Sequence, residues 1–187
     1  MRLEQQNSYQ RDFSGEVIKV IQEDNRTWLI LSQSLFYPTS GGQLHDTGTL
    51  GEGRVIDVGK EGGEVRHLVQ GGHFEVGRHV YGTVDWTRRY CHMQRHTGQH
   101  LVSQAFVRVD PSFETKSVSL TSPVCTVDLA GEPGEAAQAD AERLVAEVVY
   151  ENLNIRAFDV EEQEVKNYPL RRPPKVSGRI RLVKMGD

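Results

Sequence analysis

Three histidines, His92, His96 and His100, recur at a spacing of four. On an α-helix a step of four turns each side chain only about 40° from the last, so the three rings share one stripe. Imidazoles one turn apart, with Cβ atoms roughly 5–6 Å from each other, can reach a single Zn²⁺. A half-exposed polar stripe has the same spacing, so the residues alone leave both readings open. Thr97 stands where an HExxH protease carries its general-base glutamate, which argues against a metalloprotease. Gly98 costs about 1 kcal/mol against alanine inside a helix. That cost implies that something comes close to the backbone there, either a packed neighbour or a substrate.

A second stretch with chemical potential is Phe36-Tyr37-Pro38-Thr39-Ser40-Gly41-Gly42-Gln43-Leu44-His45-Asp46-Thr47-Gly48. Paired glycines allow a positive φ and let backbone N–H groups approach a ligand closely. The Lys-Ser/Thr ending of a phosphate-binding P-loop is absent, which disfavours nucleotide hydrolysis. A plain structural loop is the competing reading. A third stretch is basic: Lys166, Arg171, Arg172, Lys175, Arg179, Arg181 and Lys184 occur with no Asp or Glu between 166 and 184. Such a strip could hold phosphates, or simply be a solvated surface.

Positioning these stretches requires two kinds of element. Thirteen of the eighteen glycines fall before Thr87, and that part reads as short strands at 15–21, 27–32, 54–58, 65–69 and 77–86, with connections over 23–26 and 59–64. Five or more strands in that length predict a small closed barrel, which leaves no free sheet edge. From Arg88 the texture changes. Leu101, Val102, Ala105 and Phe106 give the histidine helix an apolar face, and Asp110-Pro111 ends it. Alternation over 115–121 and 124–129 predicts a hairpin turning at Ser122-Pro123. Pro133-Gly134 opens a long helix whose buried stripe is Ala137, Ala141, Leu144, Val145, Val148 and Val149. Asn152-Leu153-Asn154 ends it. A strand at 155–160, a helical turn at 161–165, an extended 170–174 and a strand at 179–185 complete the chain. The fold expected is α+β: a small antiparallel barrel over 1–87, then over 88–187 a domain with helices packed on an antiparallel sheet.

The 187 residues suffice for one large domain or two small ones. The longest apolar runs, such as Trp28-Leu29-Ile30-Leu31, are far too short to span a bilayer, and no N-terminal signal is read. Two cysteines, Cys91 and Cys125, cannot make a disulfide framework, so a reducing, cytoplasmic setting is expected. A net charge of −4 gives no global attraction to nucleic acid.

Taken in order, these motifs resemble the alanyl-tRNA editing proteins of the AlaX type, free-standing relatives of the editing domain of alanyl-tRNA synthetase. The resemblance runs over nearly the whole chain. It is carried by Phe36 to Gln43, by Asp46-Thr47-Gly48, by Met93-Gln94-Arg95-His96-Thr97-Gly98-Gln99-His100, by Thr115-Lys116-Ser117-Val118-Ser119 and by Arg171-Arg172-Pro173-Pro174-Lys175. It implies a barrel followed by an α+β editing domain. It also implies hydrolysis of serine or glycine wrongly attached to the alanine tRNA. The partner is then the acceptor end of that tRNA, with neither DNA nor a membrane involved. A barrel-plus-basic-strip module that binds tRNA or protein without catalysis is the alternative, and a different metal-dependent hydrolase is a third.

Residue by residue, the resemblance puts a zinc pair on His96 and His100 and leaves His92 as a helix-face residue. It puts the wall of the acyl pocket on Thr39, Gly41 and Gly42, a catalytic substrate contact on Gln43, and substrate contacts on Arg171 and Arg172. Thr115 corresponds to a hydroxyl beside the substrate, against the plain reading of a strand threonine. One departure stands out. The family takes its other two zinc ligands from a Cys-x-x-x-His segment after a strand like 179–185, and the sequence reaches Gly186-Asp187 before it. The expectation is a fragment of a longer protein with an incomplete site, or else a form that binds metal poorly. Cys125 is the third ligand to consider.

Overall fold

The computed structural model describes residues 3–121, 124–170, 174 and 177–186. A four-residue helix, α1 (Leu3–Gln6), precedes the first strand. In β1 (Asp12–Glu23) Phe13, Gly15 and Val17 are buried while Asp12 and Ser14 are exposed, the period of two that turns one strand face inward. Then come β2 (Arg26–Leu31), β3 (Gly48–Leu50), β4 (Gly53–Glu61), β5 (Glu64–Gln70) and β6 (His79–Val84). They close in the order β1-β2-β5-β4-β3-β6, with β6 antiparallel to β1. Val17, Leu29, Leu35, Leu50, Val55 and Val58 fill the interior, each stabilising the barrel by about 1.5–3 kcal/mol.

The turns follow local chemistry. Asp24 and Asn25, at φ 50° and 60°, join β1 to β2, and both side chains tolerate the left-handed region. The connection expected over 59–64 is tighter than the sequence suggests, because Lys60 pairs with Val65 and Glu61 with Glu64, leaving only Gly62-Gly63 to turn. The three-residue β3 was not anticipated. It is too short to show alternation, and it exists because Gly48 pairs with Val55 on one side and Val84 on the other. A Cβ on Gly48 would collide with the Thr83 carbonyl and sit 2.9 Å from the Phe36 ring.

The second half is built on α2 (Trp86–Val109), longer than the histidine stretch alone indicates. Asp85 caps it by accepting from the Arg88 N–H, and Asp110 closes it with its N–H donated to the Phe106 carbonyl, 3.0 Å away. β7 (Thr115–Ser119) and β8 (Thr126–Leu129) form the expected hairpin; its predicted turn at Ser122-Pro123 lies outside the described residues. α3 (Glu135–Glu151) ends at a left-handed Asn152 and packs on α2. Ala141 is buried, but Val149, expected in the same stripe, is exposed. β9 (Ile155–Glu161), a 3₁₀ turn at Glu162–Asn167 and β10 (Arg179–Met185) make a second small unit around Val160, Ile180 and Leu182. The fold is α+β as expected. Among the described residues the strands of this half lie in two separate two-stranded sheets.

Candidate functional site

The buried side of α2 is polar, which is unusual for a 24-residue helix. Arg89, His92, Gln99 and Ser103 are all buried. At their spacing they share one side of the helix with His96. Burying such groups is costly unless each finds a partner, so their partners locate the site.

Arg89 is the best satisfied. Its Nε donates to both carboxylate oxygens of Asp46 at 3.2 and 3.1 Å, and Nη2 donates to Asp46 Oδ2 at 2.6 Å. Nη2 also reaches the Leu35 carbonyl at 2.6 Å and Nη1 the Ser8 carbonyl at 3.0 Å. The guanidinium lies 4.7 Å from the centre of the Tyr37 ring, and the Tyr37 N–H donates to Asp46 at 2.7 Å. Both ends of the glycine-rich loop are thereby tied to the first turn of α2. Arg88 strengthens the tie, donating from Nε to the His45 carbonyl at 2.9 Å. Sequence reasoning missed this pair. Asp46 and Arg89 are 43 positions apart, Arg89 stands in none of the motifs read from the sequence, and nothing in one sequence links the two.

Within the loop, Gly41 and Gly42 take φ values of 60° and 82°, and Ser40 and Gln43 exchange backbone hydrogen bonds at 3.0 Å across them. The Gly42 carbonyl accepts from Leu120 N–H at 3.0 Å, and a Cβ on Gly42 would fall 2.9 Å from the Val118 carbonyl oxygen. The glycine pair is therefore pressed against the end of β7, the strand that begins with buried Thr115. Gln43 Oε1 is buried with no hydrogen-bond partner among the described residues. Thr39 is spent on holding the loop: its N–H donates to the Val58 carbonyl and its hydroxyl accepts from His45 N–H. His45 is pinned further by contacts to Asp57 and to the Ile56 carbonyl, each at 3.0 Å.

The histidines divide. His92 is buried beside the loop, and its Nδ1 finds no partner among the described residues. Burial lowers its pKa, and Arg88 adds to the effect while Asp46 opposes it. His96 and His100 stack side by side with ring centres 5.0 Å apart and planes 27° apart. Both keep solvent access, yet partial desolvation holds the His96 pKa below the ordinary histidine value. A neutral imidazole is the form that ligates a metal. Among the described residues no third His, Cys, Asp or Glu joins them, so Cys125 is not brought to the pair. Cys91 and Cys125 form no disulfide. The space a Cβ would occupy at Gly98 is open, which removes a packed neighbour as the reason for that glycine. Arg171 and Arg172 lie outside the described residues. An open groove of about 950 Å³ between α2, β8 and α3 contains none of the expected site residues. No helix among the described residues is long and apolar enough to cross a membrane.

Comparison with known proteins agrees with the motif resemblance. A family model described as tRNA synthetases class II (A) matches residues 7–88, the barrel up to the start of α2. An alanine–tRNA ligase of Pyrobaculum neutrophilum is 44% identical over 108 residues, covering 56% of this chain and 12% of the relative. That of Pyrococcus abyssi is 39% identical over 109 residues, with the same shares of 56% and 12%. That of Pyrobaculum calidifontis is 34% identical over 157 residues, 80% of this chain and 17% of the relative. The chain thus corresponds to less than a fifth of the length of these ligases.

Proposed function

We propose that this relative of the alanine–tRNA ligases is an editing module, which hydrolyses serine, and glycine as a second substrate, from an alanine tRNA carrying the wrong amino acid. In that reaction water attacks the ester carbonyl, the acyl–oxygen bond breaks, and the products are the free amino acid and a tRNA with its terminal ribose hydroxyl restored. The observation that carries the reading is the clamp between Arg89 and Asp46. It fixes a loop bearing a buried Gln43 oxygen, unpartnered among the described residues, to the same helix that presents His96 and His100 side by side.

The chain's own groups divide the work. Gln43 accepts a hydrogen bond from the attacking water or the substrate amino group, which positions it for reaction. The exposed glycine pair leaves backbone N–H groups for a developing oxyanion. The Thr115 hydroxyl meets the serine hydroxyl, because a site built to hydrogen-bond that group discriminates better than an apolar hole. Arg171 and Arg172 contact tRNA phosphates. His96 and His100 suit two positions of a zinc site, and zinc there would supply Lewis acidity or an anchor for the RNA terminus. A cytoplasmic location belongs to the same reading.

The test is release of serine from mischarged alanine tRNA by the purified chain, with correctly charged alanine tRNA as reference. Serine should leave faster, and Thr115→Val should erode the preference. Serine release at the buffer rate sinks the hydrolase reading. Replacing His96 and His100 by Ala should abolish zinc uptake in elemental analysis. A single observation favours a second reading, a tRNA-binding module without catalysis: the described residues bring no third ligand to the histidine pair. Tight tRNA binding without serine release would select it.

A further inference from the structure

Where the chain enters α2, three aromatic rings gather at the surface. The ring of Trp86, the first residue of the helix, has its centre 5.9 Å from that of Tyr9 and 5.6 Å from that of Tyr90, with tilts of 45° and 31°. The Arg11 guanidinium sits over the Trp86 ring, 4.3 Å from its centre. That cation–π contact steadies the indole and keeps a positive charge beside it. A cluster made only for packing would hide its rings, yet Tyr9 is 64% and Tyr90 42% exposed. Contiguous exposed rings mark a binding surface. Asp12 and Asp85, the carboxylates next in sequence to Arg11 and Trp86, accept from the Thr83 hydroxyl at 2.7 Å and from the Arg88 N–H at 3.1 Å. No ion pair reaches Arg11 among the described residues.

We propose that Tyr9, Trp86 and Tyr90 form a stacking platform for the bases of single-stranded RNA, with Arg11 drawing in its phosphates. Every base has a π-face, so such a platform holds a strand without reading its sequence. The cation supplies the attraction that a phosphate chain needs. An acidic peptide would use Arg11 and leave three rings unused. A proline-rich peptide would use the rings and ignore the charge. Position also favours RNA. His100 stands fourteen residues beyond Trp86, which on a helix returns it to within about 40° of the same direction, about 21 Å along the axis. A few unpaired nucleotides resting on the platform would therefore reach the histidine pair. The platform deepens the tRNA reading by naming where the unpaired end lies before it meets the histidines, and it rests on that reading only for the identity of the RNA.

The experiment is fluorescence anisotropy of the full chain with two labelled RNA minihelices, one ending in a single-stranded tail and one blunt. Tyr90→Leu should weaken binding of the tailed minihelix about tenfold and leave the blunt one unchanged. Tyr90→Phe, which keeps the ring, should bind like the parent. Tyr9→Leu lies outside α2 and should weaken the tailed minihelix in the same way, so the idea is tested even if the helix variant folds poorly. Parent-like binding of the tailed minihelix by both leucine variants, or no RNA binding by the parent chain, overturns the proposal. So does a proline-rich peptide that displaces the tail at a lower concentration than unlabelled RNA. If the parent releases serine while both variants bind RNA as it does, the platform falls and the hydrolase stands. Weakened binding by the variants with no serine release by the parent does the reverse.

Discussion

His67 gives the barrel a built-in dependence on pH. Its ring is only 1% exposed, with Nδ1 3.1 Å from the Leu29 carbonyl and Nε2 2.8 Å from the Ser34 hydroxyl. A neutral ring satisfies both contacts, with Nδ1–H donating and Nε2 accepting. Burial pulls the pKa from 6.5 down to about 4, against the raising effect of the Leu29 hydrogen bond. The difference is about 2.5 units, which at about 1.36 kcal/mol per unit makes about 3 kcal/mol. In the window between those values the unfolded chain binds a proton that the folded chain refuses. Stability is therefore full above about pH 6.5 and falls as the pH drops toward about 4. Against the 5–15 kcal/mol typical of a domain, about 3 is a large loss. Urea unfolding followed by tryptophan fluorescence across this window measures it, with His67→Gln as a non-titrating control whose curve should be flatter. Activity should fall with stability, because Ser34 also accepts from the Phe36 N–H at 3.1 Å, at the entrance to the glycine-rich loop. A flat parent curve, or an equal slope in His67→Gln, refutes the reasoning.

Two further outcomes follow from the clamp and from the open helix position. Asp46→Asn or Arg89→Met, each removing one partner of a buried pair, should cost about 3–5 kcal/mol in urea unfolding, whereas the double change Asp46→Leu with Arg89→Met should recover part of that loss. Gly98→Ala meets no neighbouring atom, so it should stabilise α2 by up to about 1 kcal/mol; serine release that falls despite the gain would show that substrate, not packing, needs the missing Cβ.

What could be read from the sequence was whatever repeats over short distances. The strands β1 and β5, the turn residues Asp24-Asn25, the end of α2 at Asp110 and the two ends of α3 rest on local signals, and each lies close to its expected place. The α+β order followed from them. The histidine spacing likewise placed His96 and His100 on one helix. What could not be read was pairing across distance. The Arg89–Asp46 link, the seating of Gly42 against Val118 and the burial of His92 depend on how separate segments fold together. Val149 was misjudged for the same reason, since a helix stripe shows which face is apolar but not how far the neighbouring element reaches across it.

The cylinder of six strands is stitched least where β3 sits, because three residues carry both of its ladders while β4 and β5 share seven paired positions. Breathing begins where fewest bonds hold, and the segment next to that weak stitch is Asp46-Thr47. Asp46 stands two positions before β3, so a lifting of β3 would pull on the carboxylate that holds Arg89. The wall and the latch are thus joined through one short stretch of chain, and loosening either would strain the other.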